Sequence, residues 1–276
     1  MRIHSISTGH VRVHASQVHG RGRALRRLNV LRDREWTPPL PIHAWAIEHP
    51  EGLILVDTGE VHEASDPRHY PMSNPYLRRA IRFDVTVGDE IDRQLIRRGL
   101  SAEQVRWVVL THLHTDHAGG LRHFPHAEIV VARDELAAAR GVAGRLRGYL
   151  PQHLPGWFSP RAIAFSGEPM SDFSGSHALT EAGDVVLVPT PGHTHGHLSV
   201  LVRRADQPTL VLAGDASYTE RLMLDGVVDG VAVDQRAAHD TLLRLQRHTR
   251  RRPTIYLPAH DPDAAERYRL AQVVPS

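Results

Sequence analysis

Between Thr111 and Gly120 the chain reads Thr-His-Leu-His-Thr-Asp-His-Ala-Gly-Gly, and four of the six side chains from His112 to His117 are metal-ligand types. His112 and His114 stand two apart, so in extended backbone both point to one side. Asp116 and His117 follow where the chain begins to turn, and Gly119-Gly120 lets it turn sharply. Imidazole and carboxylate without thiolate suit Zn2+, with Mn, Fe or Co also compatible. Four ligands in so short a stretch can serve two adjacent cations, and two cations need more ligands than one loop supplies. Three further segments offer them: Pro191-Gly192-His193-Thr194-His195-Gly196-His197, Ala213-Gly214-Asp215-Ala216 and Pro258-Ala259-His260-Asp261.

Each of these segments directly follows a short apolar run, and such runs read as strands. The runs are Arg2–Ser7, Ile42–Glu48, Leu53–Asp57, Arg106–Thr111, Glu128–Ala132, Val185–Val188, Leu198–Val202, Leu210–Ala213 and Ile255–Leu257. Strand ends from different parts of a chain can converge, and functional loops gather there. His49-Pro50-Glu51-Gly52 reads as a hairpin turn. Helical patterns cover Gly88–Arg98, Asp134–Ala143, Asp234–His248 and Pro262–Leu270. Hairpin strands followed by alternating strands and helices, with that order recurring in the second half, predict an α/β sandwich of two sheets with helices outside, one domain over 1–276. Two stretches do not fit it: the arm from Gln17 to Pro41, with Arg21, Arg23, Arg26, Arg27, Arg32 and Arg34, and the insertion from Gly144 to Ser176, with Trp157-Phe158. Segments of this length read as lids or binding loops.

Composition removes competing chemistries. All 33 basic residues are Arg, 31 residues are acidic, and the net charge is +2. Without Lys there is no Schiff-base enzyme, pyridoxal-phosphate anchor or P-loop lysine. Without Cys there is no disulfide, thiolate nucleophile or Cys-ligated metal. Of the 21 His, those outside the motifs read as compositional background, and His195 as solvated. The N-terminus has no apolar signal-peptide core and no apolar run approaches the ~20 residues of a membrane span, so a cytoplasmic protein without a membrane partner is expected.

The set HxHxDH, GHTxGH, GD and a late His, with Leu55-Val56-Asp57-Thr58-Gly59 after the first hairpin, resembles the metallo-β-lactamase superfamily of αββα hydrolases. The resemblance covers roughly Ile42 to His260. It implies two divalent ions: one held by His112, His114 and His193, a second by Asp116, His117 and His260, with Asp215 bridging and a water or hydroxide between them. Asp57 and His197 would orient ligands from behind. The Cys-ligated lactamases are excluded, and His114 stands where the di-iron oxygen-reducing relatives carry Glu, so hydrolysis remains. Asp215-Ala216-Ser217-Tyr218-Thr219, with HLHTDHAGG and Ala259-His260-Asp261, looks like the N-acyl homoserine lactone lactonases. That likeness implies opening of a lactone by a metal-bridging hydroxide, whose parent water drops in pKa from ~15.7 toward ~7. Tyr218 would stabilise the oxyanion and Asp116 would pass the proton to the leaving alkoxide.

An acyl chain needs an apolar groove, for which Trp36, Trp157, Phe158, Leu222 and Met223 are the candidates. A thioester hydrolase of the glyoxalase II type or a phosphotriester hydrolase could use the same site, the former with basic residues from Arg21–Arg34 at its mouth. A nuclease using those and Arg250-Arg251-Arg252 is disfavoured by the small net charge, so no nucleic-acid partner is expected. Relatives often dimerise, and a homodimer involving the Gln17–Pro41 arm is compatible with the sequence.

Overall fold

The computed structural model describes residues 1–20, 26–72, 74–170 and 172–275; Arg21 and Arg23 of the basic arm lie outside them. In chain order the elements begin with β1 (Arg2–Val13), α1 (Ala15–His19), α2 (Arg26–Arg32), β2 (Leu40–His49), β3 (Gly52–Val56), α3 (Pro75–Arg79), β4 (Ile81–Asp84) and α4 (Ile91–Ile96). There follow β5 (Val105–Val109), α5 (Thr115–Ala118), β6 (Glu128–Ala132), α6 (Arg133–Ala138), α7 (Gly141–Leu146), β7 (Arg161–Ile163) and β8 (His177–Ala178). The last are β9 (Val185–Pro189), β10 (Leu198–Val202), β11 (Thr209–Gly214), α8 (Glu220–Leu224), α9 (Gln235–Arg251), β12 (Thr254–Pro258) and α10 (Ala264–Arg269).

Strands β1 to β7 form one sheet in the order β4-β1-β2-β3-β5-β6-β7, and β8 to β12 a second in the order β12-β11-β10-β9-β8. Both faces of each central strand are apolar, and the two-residue period divides them between layers. In β5, Trp107 and Val109 join Ile54, Val56, Val200, Leu212 and Leu257 between the sheets, while Val108 faces outward with Leu53, Leu55, Ile91 and Leu95. In β11 and β12, Leu210, Leu212, Ile255 and Leu257 point inward, and Val211, Ala213 and Tyr256 meet α9 through Ala238, Leu242 and Leu245. Those α9 positions are spaced four and three apart, the stripe of a helix that covers a sheet. Asp234 caps the helix, its carboxylate accepting from Ala237 N at 2.9 Å. The result is the αββα sandwich expected from the sequence.

The differences lie in what extends this frame. β1 does not stop at Ser7: its register with β2 shifts between Ser7 and His10, and residues 10–13 continue alongside β4, as a bulge allows. The helical pattern over Asp134–Ala143 divides into α6 and α7 around Arg140, whose backbone is extended, because an Ala-rich run loses its propensity at Gly141. The arm from Gln17 to Pro41 contributes α1 and α2 and returns through a bridge between Trp36 and His14. Nor are the remaining histidines all solvated background. His14, His43, His49 and His248 are buried, and His14 Nδ1 lies 2.6 Å from Val30 O while His43 Nε2 lies 3.2 Å from Asp261 O. No helix among the described residues is long and apolar enough to cross a membrane.

Replacing the fully buried Leu245 with Ala should leave a cavity between α9 and the second sheet and lower unfolding free energy by about 2–5 kcal/mol. Equilibrium denaturation measures it; a cost below ~1 kcal/mol would mean that the helix does not seal that face.

Candidate metal centre

The strand ends deliver the motif residues to one place. Beyond β5, Leu110 N still bonds Val130 O at 3.0 Å, and Leu198 N bonds Thr111 O at 2.9 Å, which ties this end to the second sheet. His112 and His114 follow, and α5 carries Asp116 and His117. Glycine precedes two other ligand-type residues for steric reasons. At Gly192 (φ +140) a Cβ would lie 2.2 Å from Ala238 Cα, and at Gly214 (φ +54) one would lie 2.7 Å from His197 Nε2. Only glycine lets His193 approach α9 and Asp215 approach His197 this closely.

Seven side chains converge. His114 Nδ1 is 3.0 Å from His112 Nε2 and 3.1 Å from His193 Nε2. Asp215 Oδ2 lies 3.4 Å from His193 Nε2 and 4.0 Å from His112 Nε2. Its other oxygen, Oδ1, lies 3.3 Å from His117 Nε2 and 3.4 Å from His260 Nε2. Asp116 Oδ2 stands 3.4 Å from His260 Nε2, and Asp116 Oδ1 4.0 Å from His117 Nε2. The donors therefore fall into two groups that share one carboxylate, an oxygen toward each.

This donor set fits divalent cations. His117 Nε2 and Asp215 Oδ1 are buried and have no hydrogen-bond partner among the described residues, which is costly unless something else satisfies them. Burial pushes His112 and His114 well below the usual imidazole range, so both present neutral lone pairs. Burial acts the same way on His117, His193 and His260, but carboxylates outweigh it and raise all three: Asp215 and Asp57 for His117, Asp229 and Asp215 for His193, Asp215 and Asp116 for His260. The carboxylates that favour positive charge on these rings would equally favour a bound cation. In another acid and histidine group, at His62, Glu63, Glu90, Asp92 and His123, two of the carboxylates are already engaged by Arg122, which bonds Glu90 at 2.9 Å and Glu63 at 2.7 Å.

The far side of each ring is held. His117 Nδ1 is 2.8 Å from Asp57 Oδ2, and Asp57, at φ +59, is itself gripped by Thr111 N and Thr111 Oγ1, both at 2.8 Å. His197 Nε2 accepts from Asp215 N at 2.9 Å, so it orients the shared carboxylate through the backbone. Asp57 and His197, the two residues expected to orient ligands, make these contacts with His117 and with the backbone of Asp215. The sequence reading missed other supports: Asp229 beside His193 Nδ1 at 3.2 Å, Pro41 O beside His260 Nδ1 at 2.9 Å, and Arg147 O beside His114 Nε2 at 3.2 Å. It also missed Glu135. This buried carboxylate accepts from Leu113 N at 2.9 Å, Thr194 Oγ1 at 2.7 Å and Gly196 N at 3.1 Å, and so ties the first histidine loop to the second. In sequence it is an acid in a helix's first turn, which reads as a solvated dipole partner.

A pocket opens over the donors. Its polar floor includes His114, Asp116, His193, Asp215 and His260; its walls include Tyr218, Gln17, Tyr76, Arg27 and Arg147 and the apolar Val11, Val13, Leu31, Leu77, Ile81, Phe83, Leu146 and Val231. None of the five expected groove residues lines it. Trp36 packs edge-on against His14 with Arg82 over its ring, Trp157 is exposed, and Phe158 packs on the outer face of the first sheet. Leu222 packs against the cluster that contains Tyr218, and Met223 is fully buried under α9. The apolar wall comes instead from the end of β1, from β4, and from α2 and α7, the last two lying in or reaching into the arm and the insertion that read as lids or binding loops.

Glu135→Ala should weaken metal binding by about 10- to 100-fold, the usual effect of losing a ligand's outer support. Glu135→Gln should recover part of it, since its amide oxygen still accepts. Chelator competition measures both, and parental affinity in the two variants would refute the clamp.

The comparisons with known proteins agree with this fold. Residues 37–260 match the family model described as the metallo-beta-lactamase superfamily. The chain is similar to a probable metallo-hydrolase of Mycobacterium tuberculosis, 32% identical over 253 residues, covering 83% of this chain and 76% of the relative. It is similar to an N-acyl homoserine lactonase of Bacillus thuringiensis, 28% identical over 228 residues, with 80% and 82% covered. Among solved structures, an N-acyl homoserine lactone hydrolase with N-hexanoyl-L-homoserine bound at its catalytic metal centre superposes with a TM-score of 0.77 at 25% identity, covering 99% of this chain and 97% of that one. The match runs from just before β2 to the last of the converging histidines, and the chain belongs to the metallo-β-lactamase superfamily, whose hydrolases it joins.

Proposed function

We propose that this protein is a dinuclear metal-dependent lactonase that opens N-acyl homoserine lactones or related lactones. The observation that carries the reading is Tyr218, which lies in the pocket wall with its ring stacked 5.5 Å from that of His260. A phenol there stands beside the donor set without belonging to it. The lactonases among the relatives support the same reading.

His112, His114 and His193 would hold one ion and Asp116, His117 and His260 the other, with Asp215 shared. When bound, the ions supply Lewis acidity and make a coordinated water nucleophilic near neutral pH. Burial, with Asp215 nearby, raises Tyr218 well above the usual phenol range, so it keeps its proton and serves as a hydrogen-bond donor. Its role is to bind the substrate carbonyl oxygen and follow it as charge develops, the use to which an oxyanion donor is put. Asp116 reaches into the pocket beside His260 and would carry a proton to the leaving alkoxide. The walls from β1, β4, α2 and α7 would receive the acyl chain.

One observation favours a second reading. Arg27 and Arg147 both line the pocket, and paired guanidinium groups would suit a substrate with carboxylates, such as a glutathione thioester.

Tyr218→Phe should lower kcat on the order of 10²-fold, the loss typical of one oxyanion donor; parental kcat would remove Tyr218 from the mechanism. Leu31→Asp or Leu146→Asp should penalise long acyl chains more than short ones, read as kcat/KM across a chain-length series, and an equal loss at every length would count against the apolar wall. Zinc-loaded protein assayed on acyl homoserine lactones, simple lactones, lactoylglutathione and a phosphotriester decides the substrate class. Exhaustive chelation should abolish whichever activity is found.

A further inference from the structure

Gln17 belongs to the arm that the sandwich does not require, yet it is 5% exposed and reaches the pocket. Its amide joins two phenols. Tyr76 Oη donates to Gln17 Oε1, and Gln17 Nε2 donates to Tyr218 Oη at 2.7 Å. With the Tyr218 oxygen accepting from the amide, and no acceptor for the Tyr218 proton among the described residues, that proton is left to the pocket. All the donors in the relay point the same way, from Tyr76 through the amide to Tyr218 and outward. Hydrogen bonds aligned head to tail polarise one another, so the last donor is the strengthened one.

The relay is anchored at the metal centre. Gly230 N donates to Gln17 O at 2.6 Å, and the adjacent Asp229 holds His193 Nδ1 at 3.2 Å. The same turn that steadies a metal-ligand histidine therefore fixes the backbone of Gln17. A Cβ at Gly230 would lie 2.5 Å from Ser16 O, which shows how closely arm and turn are packed.

We propose that Gln17 is a positioning residue for the hydrolysis: it holds the Tyr218 hydroxyl so that its proton points at the substrate oxygen, with Tyr76 fixing the orientation of the amide. This rests on the reading of Tyr218 as the substrate's hydrogen-bond donor. A reversed amide would accept the Tyr218 proton and turn it away from the substrate. Glutamate at position 17 reproduces that state in nearly the same volume, because a carboxylate accepts from both phenols.

The test is a double-mutant cycle on the metal-loaded enzyme with the lactone it turns over best. Gln17→Glu should lose kcat on the order of 10²-fold, matching Tyr218→Phe, with KM little changed. The Gln17→Glu/Tyr218→Phe double variant should be no slower than Tyr218→Phe alone, because both changes act through one hydroxyl. Tyr76→Phe frees the amide to reverse and should fall between parent and Gln17→Glu. Metal content and Tm should stay parental, while affinity for the ring-opened product, measured by calorimetry, should drop equally in Gln17→Glu and Tyr218→Phe. Where Gln17→Glu fails to fold, Gln17→Met, uncharged and unable to bond either phenol, takes its place in the cycle. Parental kcat in the position-17 variant, or losses that multiply in the double variant, would overturn the proposal while leaving Tyr218 in place. Parental kcat in Tyr218→Phe would overturn both.

Discussion

One carboxylate, that of Asp215, stands between two groups of imidazoles, Oδ2 toward His193 and His112 and Oδ1 toward His117 and His260. Polar atoms buried this densely are unfavourable unless each is answered. The surrounding structure supplies many of the answers: Asp57 behind His117, Asp229 behind His193, Pro41 O behind His260, and His197 behind the backbone of Asp215 itself. What it leaves unanswered faces inward, as the buried His117 Nε2 and Asp215 Oδ1 do. That inward remainder is the chemical content of the site.

The sandwich explains why the arrangement is stiff. Two sheets share an apolar interior, and the ligand loops leave from adjacent strand ends where backbone bonds still cross between the sheets, as at Leu198 N to Thr111 O. Glu135 then fastens one histidine loop to the other through three hydrogen bonds. A site carried on loops but clamped at both ends keeps its geometry without help from the substrate. The pocket above it has a different character. Its walls come from α1, α2, α7, β4 and the extension of β1 beyond its bulge, so specificity can vary at apolar positions such as Leu31 and Leu146, which belong neither to the donor set nor to its supports.

The frame and the donor set were legible because each left a local signature. Period-two burial marks Val108 against Trp107 and Val109, and clustered His and Asp at strand ends mark the ligands. Supports beyond Asp57 and His197 were not legible. Glu135 reads as an ordinary helix acid and Asp229 as a turn residue, and Gln17 sits in an Arg-rich arm with no pattern at all. Nothing local distinguishes them, because their partners lie far along the chain: Gln17 and Tyr218 are 201 positions apart. The aromatic groove failed for the opposite reason. Trp36, Trp157, Phe158, Leu222 and Met223 were chosen by type and neighbourhood in sequence, but large apolar side chains go wherever apolar area can be buried, and here that was mostly elsewhere.

By itself the sequence determined the sandwich, the candidate ligand types and the exclusion of thiolate chemistry, since periodicity, residue identity and the absence of Cys are all local properties. Only the tertiary structure decided that Glu135 clamps the two histidine loops together, that the arm delivers Gln17 to Tyr218, and that β1, β4, α2 and α7 wall the pocket. Those are relations between distant segments, and they exist only once burial has brought the segments together.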